Sequence, residues 1–146
     1  MARTIAGVIV GYVLMFILNF CAFVTLYAFL GPDQSFEPGL YLASTKWIAI
    51  SAVLLLITGG IAGLICAVIA KGGRAALALA IVVVVLGLLL AIPGMMKSRM
   101  NSKLVRSGDV PSMQAAQLAY WPIWCPFVFP FISAAGVLVG GRLKRQ

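Results

Sequence analysis

Four long apolar runs separated by polar stretches dominate the chain: Thr4 to Leu30, Trp47 to Ala70, Ala75 to Ile92 and about Trp121 to Val139. None contains Asp, Glu, Lys or Arg. Apolar runs this long read as membrane-spanning helices, and the absence of a period-two alternation argues against a barrel. With no water in the hydrocarbon region, a backbone satisfies its own hydrogen bonds only as a helix or a closed barrel. The 27 residues from Thr4 to Leu30 make a helix of about 40 Å, longer than a hydrocarbon core of about 30 Å, so the first span must tilt or protrude.

The joins between the runs differ. Lys71-Gly72-Gly73-Arg74 is short enough to force an antiparallel helical hairpin, and its glycines permit the positive φ that ends one helix before the next. The first loop, about sixteen residues, carries Gly31-Pro32 and Pro38-Gly39 as turn signals. Pro93-Gly94 is expected to stop the third helix and to open a loop of about twenty-eight residues. In that loop Met95 to Arg106 reads as a segment lying among headgroups. Asp109-Val110-Pro111-Ser112 then announces a short interfacial helix over Met113 to Tyr120.

Pro122, Pro126 and Pro130 recur at one-turn intervals at the start of the last run. They predict a fourth helix that begins at or just before Pro122 and is kinked, with the carbonyls of Pro122 and Pro126 lacking intrahelical partners. The expected architecture is all-α: a single four-span membrane domain over residues 1–146, a four-helix bundle with a tight second loop and a proline-kinked fourth helix.

Composition strengthens this reading. Apolar residues make up 63% of the chain and charged residues 10%, with a mean hydropathy of +1.11, beyond what a water-soluble core absorbs. The net charge of +8 would suggest nucleic acid as a partner of a soluble protein. Here Arg3, Lys71, Arg74, Arg142, Lys144 and Arg145 flank apolar runs, where cations meet lipid phosphates. The lipid bilayer is therefore the expected partner, and nucleic acid is not. An uncharged first run of 27 residues exceeds the roughly 7 to 15 of a signal peptide and is read as a retained helix.

An even number of spans puts both termini and the Lys71 hairpin on one side, with six Lys or Arg against five on the other. Asp33, Glu37 and Asp109 all fall in the first and third loops, which most of the Trp and Tyr residues adjoin. Together with the compact basic flanks, this places both termini in the cytoplasm and Ser102 outside it.

Candidate chemistry is sparse. The chain has no His, and ionisable groups within the membrane are the usual carriers of proton coupling and ion passage. No catalytic, cofactor-binding or metal-ligating set is expected, and the chain does not read as an enzyme. Asp33 and Glu37 are the only close acidic pair, read as a solvated loop ahead of a cation site. Cys21, Cys66 and Cys125 form no CxxC pair and read as free, buried, small apolar residues.

Small residues recur at four-residue spacing as Gly7 and Gly11, as Gly59, Gly63 and Ala67, and as Gly136 and Gly140. Each set makes a flat groove that lets helices approach closely. The grooves serve packing within the bundle, or the first of them serves self-association or a partner membrane helix. Asn19, the one carboxamide in a span, should hydrogen-bond across helices to Thr25, Thr58 or Ser133, contributing about 1 kcal/mol.

The segments AGVIVGY, FEPGLY, GGRAALALA and GVLVGGRLKR resemble small four-helix bacterial inner-membrane proteins of unassigned function. That resemblance implies the fold and a multi-pass location in the cell membrane, and carries over no catalytic or binding residue. The functional expectation is a non-enzymatic scaffold, accessory subunit or small homo-oligomer working through helix contacts. The alternative is a passive transporter or channel with its pore between subunits, since four filled helices leave little lumen.

Overall fold

The computed structural model describes residues 2–71, 73–107 and 110–144. Gly72, Asp109 and Arg145, used above for the hairpin turn, the loop charge and the basic end, lie outside the described residues. The described chain is helical without named strands: α1 is Ala2–Ser35, α2 Thr45–Ala70, α3 Gly73–Asn101, α4 Ser112–Leu118 and α5 Cys125–Leu143. All but α4 are long and apolar enough to cross a membrane, and the protein is an all-α four-helix membrane bundle.

Local chemistry sets most boundaries. Gly31 sits at φ 68°, ψ 176°, a conformation open to glycine, so the regular part of α1 stops at Leu30. Pro32 then opens one further turn, closed by Phe36 N donating to the Pro32 carbonyl at 3.2 Å and by Ser35 Oγ donating to the Gly31 carbonyl at 2.7 Å. Ser44 caps α2 by accepting from Trp47 N at 3.2 Å, while its hydroxyl donates to the Gln34 carbonyl at 2.8 Å. At the other end of α2 the left-handed residue is Lys71, at φ 53°, where glycine was expected. Lys144 Nζ reaches from α5 to the Ala67 and Val68 carbonyls at 2.9 and 3.1 Å, satisfying acceptors that a helix end leaves open.

Two expected boundaries are corrected. Pro93 does not stop α3, which continues to Asn101 with the proline inside it. The added turns are held from outside: Ser98 Oγ donates to the Trp121 carbonyl and Asn101 Nδ2 to the Leu118 carbonyl, both at 2.9 Å. Met95 to Asn101 is therefore helix and not a headgroup-lying loop. The last helix begins at Cys125, not at Pro122. Cys125 N donates to the Pro122 carbonyl at 2.9 Å, which gives that carbonyl a partner and makes 122–125 a turn. The helix keeps spanning length by running on through Gly140 and Gly141 to Leu143, 19 residues or about 28 Å. Pro126 falls in its first turn, where a missing N–H costs nothing, and Pro130 alone lies in its interior.

The helices pack as α1 on α2, α2 on α5 and α5 on α3, with α1 making no substantial contact with α5. The α2–α5 seam is the closest. A Cβ on Gly59 would strike the Ser133 carbonyl, one on Gly63 the Val137 carbonyl, one on Gly136 the Leu56 carbonyl and one on Gly140 the Gly60 carbonyl. Ala67 is buried beside them. On α1, Gly7 would place a Cβ 3.0 Å from the Cys66 carbonyl and Gly11 one 2.8 Å from Leu79. The first groove is thus filled by α2 and α3 of the same chain. On α3, Gly87 receives the ring of Pro130, and Gly94 stands 3.6 Å, measured from such a Cβ, from that of Pro126.

The two long loops fold together into a cap over one end of the bundle. Isolated bridges join Phe36 to Ala43, Leu40 to Val105 and Leu42 to Tyr120. Ala43 N donates to the Tyr120 carbonyl and Tyr120 N to the Tyr41 carbonyl, at 2.9 and 3.0 Å. Phe36, Tyr41, Ala115 and Tyr120 form a small core beneath them. Arg106 fastens the two loops: its backbone N–H reaches the Gly39 carbonyl at 2.8 Å, Nη1 the Pro32 carbonyl at 3.1 Å, and Nη2 the Asp33 carboxylate. Asp33 is therefore the partner of Arg106, not half of an acidic cation site.

Candidate functional site

On the cap side of Met15 the four long helices part. Met15 and Val83 stand at the closed end of a central cleft of about 360 Å³ between α1, α2, α3 and α5, bordered by Leu55, Gly87, Phe129 and Ser133. On the hairpin side of them Ala62, Cys66, Ala76, Leu79 and Val137 are fully or nearly fully buried.

Beside the cleft lies a larger apolar groove of about 780 Å³. One wall is a face of α1, with Phe16, Phe20, Val24 and Tyr27; the other is α4, with Met113 and Ala116. Its roof is the cap, where Phe36, Trp47 and Tyr120 close it. Trp47 is fixed by α1, packing edge-on to Tyr27 at 6.1 Å between centroids and tilted against Phe23 at 6.2 Å, arrangements favoured by ring quadrupoles. Tyr12, Met15, Asn19, Phe23 and Trp121 border both recesses, so the two adjoin.

Asn19 is the polar feature of this region. Thr58 Oγ1 lies 2.7 Å from Asn19 Oδ1, and also 2.9 Å from the Leu54 carbonyl and 3.3 Å from that of Leu55. One hydroxyl proton serves one of those acceptors at a time. Turning the amide over lets Nδ2 donate to Thr58 Oγ1 while the hydroxyl proton goes to Leu54, so either orientation makes the bond. In both, the second polar end of Asn19 stays beside the recesses. Of the other partners considered for Asn19, Thr25 is exposed, while Ser133 is buried across the cleft with its carbonyl against Gly59.

The prolines divide between the two regions: Pro126 and Pro130 border the cleft, and Pro122 is in the turn before α5. The small residues Gly7, Gly11, Gly59, Gly63, Ala67, Gly136 and Gly140 are all buried in helix seams. Cys66 and Cys125 are buried and unpaired, whereas Cys21 is exposed on α1, against the expectation that all three are buried. Ser51, which the sequence does not single out, is fully buried with no hydrogen-bond partner for its hydroxyl.

Sequence reasoning missed the groove. Phe16, Phe20, Phe23 and Tyr27 do recur at helical spacing, but that pattern is indistinguishable from an ordinary lipid-facing stripe. Chemically the region offers an apolar slot with one amide at depth and an aromatic collar near the surface. No protein-family model, no curated protein and no solved structure matches this chain.

Proposed function

We propose that the protein is a non-enzymatic component of a bacterial inner membrane, a scaffold or accessory subunit that works through helix contacts, with both termini in the cytoplasm. The observation that carries the reading is the lopsided seating of α1. That helix is held through Gly7, Gly11 and Met15, while Ile5, Ile9, Val13 and Ile17 are exposed. An outlying helix has the most surface to offer a second copy or a partner span. The basic hairpin end, with Arg3, Lys71, Arg74, Arg142 and Lys144, supports the orientation.

The test is a photo-crosslinking amino acid at Val13 or Ile17, irradiated in native membranes, with a matching site at Leu89 on α3 for comparison. The contact role predicts a discrete adduct from α1, at twice 15.5 kDa for a second copy or at another fixed mass for a partner. No discrete adduct from α1, combined with uncoupled solute flux in proteoliposomes, would overturn it in favour of passive transport. Within one copy, the buried residues below Met15 and Val83 oppose a through-path from the cleft.

A further inference from the structure

We infer that the groove between α1 and α4 is a binding site for the acyl chain of a bilayer phospholipid, held tail-inward along α1 with its phosphate against the cations of the cap. This goes beyond the contact role, whose residues Ile9, Val13 and Ile17 continue the stripe of Phe16, Phe20 and Val24 towards the N-terminus; it does not depend on that role, and lipid and protein adducts tell the two apart.

The length suits the occupant. The α1 wall runs from Tyr12 to Ala28, about 24 Å at 1.5 Å per residue. One leaflet's share of the hydrocarbon core is about 15 Å, so a whole acyl chain can lie along this wall.

Solvation agrees. Apart from Asn19 and the tyrosine hydroxyls the lining is apolar, so water has too few partners to fill the slot. Left empty, it would cost its walls their dispersion contacts. Hydrocarbon is the medium outside and the filler these walls accept.

The headgroup end is argued from charge. Lys46 immediately precedes Trp47 of the roof. Among the described residues of the cap end, Lys46, Lys97, Arg99, Lys103 and Arg106 stand against Asp33 and Glu37, with Arg106 and Asp33 paired to each other. A net positive rim over an apolar slot complements an anionic head on an apolar tail.

The test uses the purified full chain in vesicles of phosphatidylglycerol and phosphatidylcholine in which one lipid at a time carries a diazirine near its acyl terminus. After irradiation, adducts are mapped by peptide mass spectrometry. The expected result is an adduct yield on Tyr12 to Phe20, the inward end of the groove, about threefold above the exposed face of α3 at Ile81 to Leu89, or ~0.65 kcal/mol of preference. The phosphatidylglycerol probe should exceed the phosphatidylcholine one. Ala116→Phe and Ala28→Phe, which fill the slot from opposite walls, should each remove the excess while leaving the α3 adducts unchanged. Adducts spread evenly over all exposed faces, an excess that survives both variants, or an excess that ignores headgroup charge would overturn the proposal. A protein–protein adduct through the groove would overturn it in favour of a second copy.

Discussion

Gly63 of α2 and Val137 of α5 meet backbone to backbone: a Cβ on Gly63 would fall within contact distance of the Val137 carbonyl oxygen, carbon and Cα together. No flexible side-chain end can yield there, so relief requires the two helices to move apart. Gly63→Ala is therefore expected to destabilise the bundle by about 1–3 kcal/mol, the usual cost of overpacking. Ile61→Ala, at an exposed position on the same helix, should cost far less. Unfolding by denaturant in detergent micelles, followed by circular dichroism, separates them; equal losses would mean that the seam is not the tight contact.

Asn19 and Thr58 should behave as one unit. Their bond joins α1 to α2 beside the recesses, where hydrogen bonds between membrane helices average about 0.6 kcal/mol and reach about 1.7. Asn19→Leu and Thr58→Val should each cost that order of energy, and the double variant should cost less than their sum. Strict additivity in the cycle would show that the two side chains do not interact.

Asp33 and Arg106 should differ in what they contribute. The Asp33 side chain is 85% exposed and that of Arg106 15%, and an ion pair this accessible is worth about 0–1 kcal/mol. Asp33→Asn should therefore leave the cap nearly unchanged. Arg106→Ala also removes the guanidinium bond to Pro32, and should speed amide exchange across residues 36–43 about fivefold or more, about 1 kcal/mol of local opening. Hydrogen exchange by mass spectrometry reads both; equal effects would show that the backbone bridges alone hold the cap.

Orientation is tested at Ser102, which is exposed just beyond α3. In a background with all three cysteines replaced, Ser102→Cys should react with an impermeant thiol reagent on intact cells. Reaction only after lysis would place the cap in the cytoplasm.

The spans were legible because apolar length and the absence of charge are properties of single segments, and Leu30 was legible as the end of the first helix because Gly31 and Pro32 act locally. Pro93 misleads for the opposite reason. A proline disfavours a helix locally, but Ser98 and Asn101 bond to a segment some twenty residues further on, and no local pattern reports that. Pro122 misleads because a proline suits a first helical turn equally well at Pro122 or Pro126, and the helix starts at Cys125 and recovers its length by running on to Leu143. The cap and the groove it roofs depend on pairings such as Leu42 with Tyr120, which join loops too distant in sequence to share a period. Of the candidate site, Asn19, Thr58 and Ser133 could be named in advance because a polar side chain in an apolar run stands out, and Pro126 and Pro130 because of their one-turn spacing.

The α2–α5 seam also constrains how the protein is made. Of the five helices, α5 is the last to leave the ribosome, yet it supplies both the surface that covers Gly59 and Gly63 and the lysine that closes the final carbonyls of α2. Until then the nascent chain carries a glycine-lined helix without its mate, in contact with lipid and with the insertion machinery. Assembly of the bundle is consequently a late event in biosynthesis. A ribosome stalled before Gly136 would leave α1 packed on α2 and α3 but the Gly59 and Gly63 face of α2 uncovered, open to mispairing with other membrane helices.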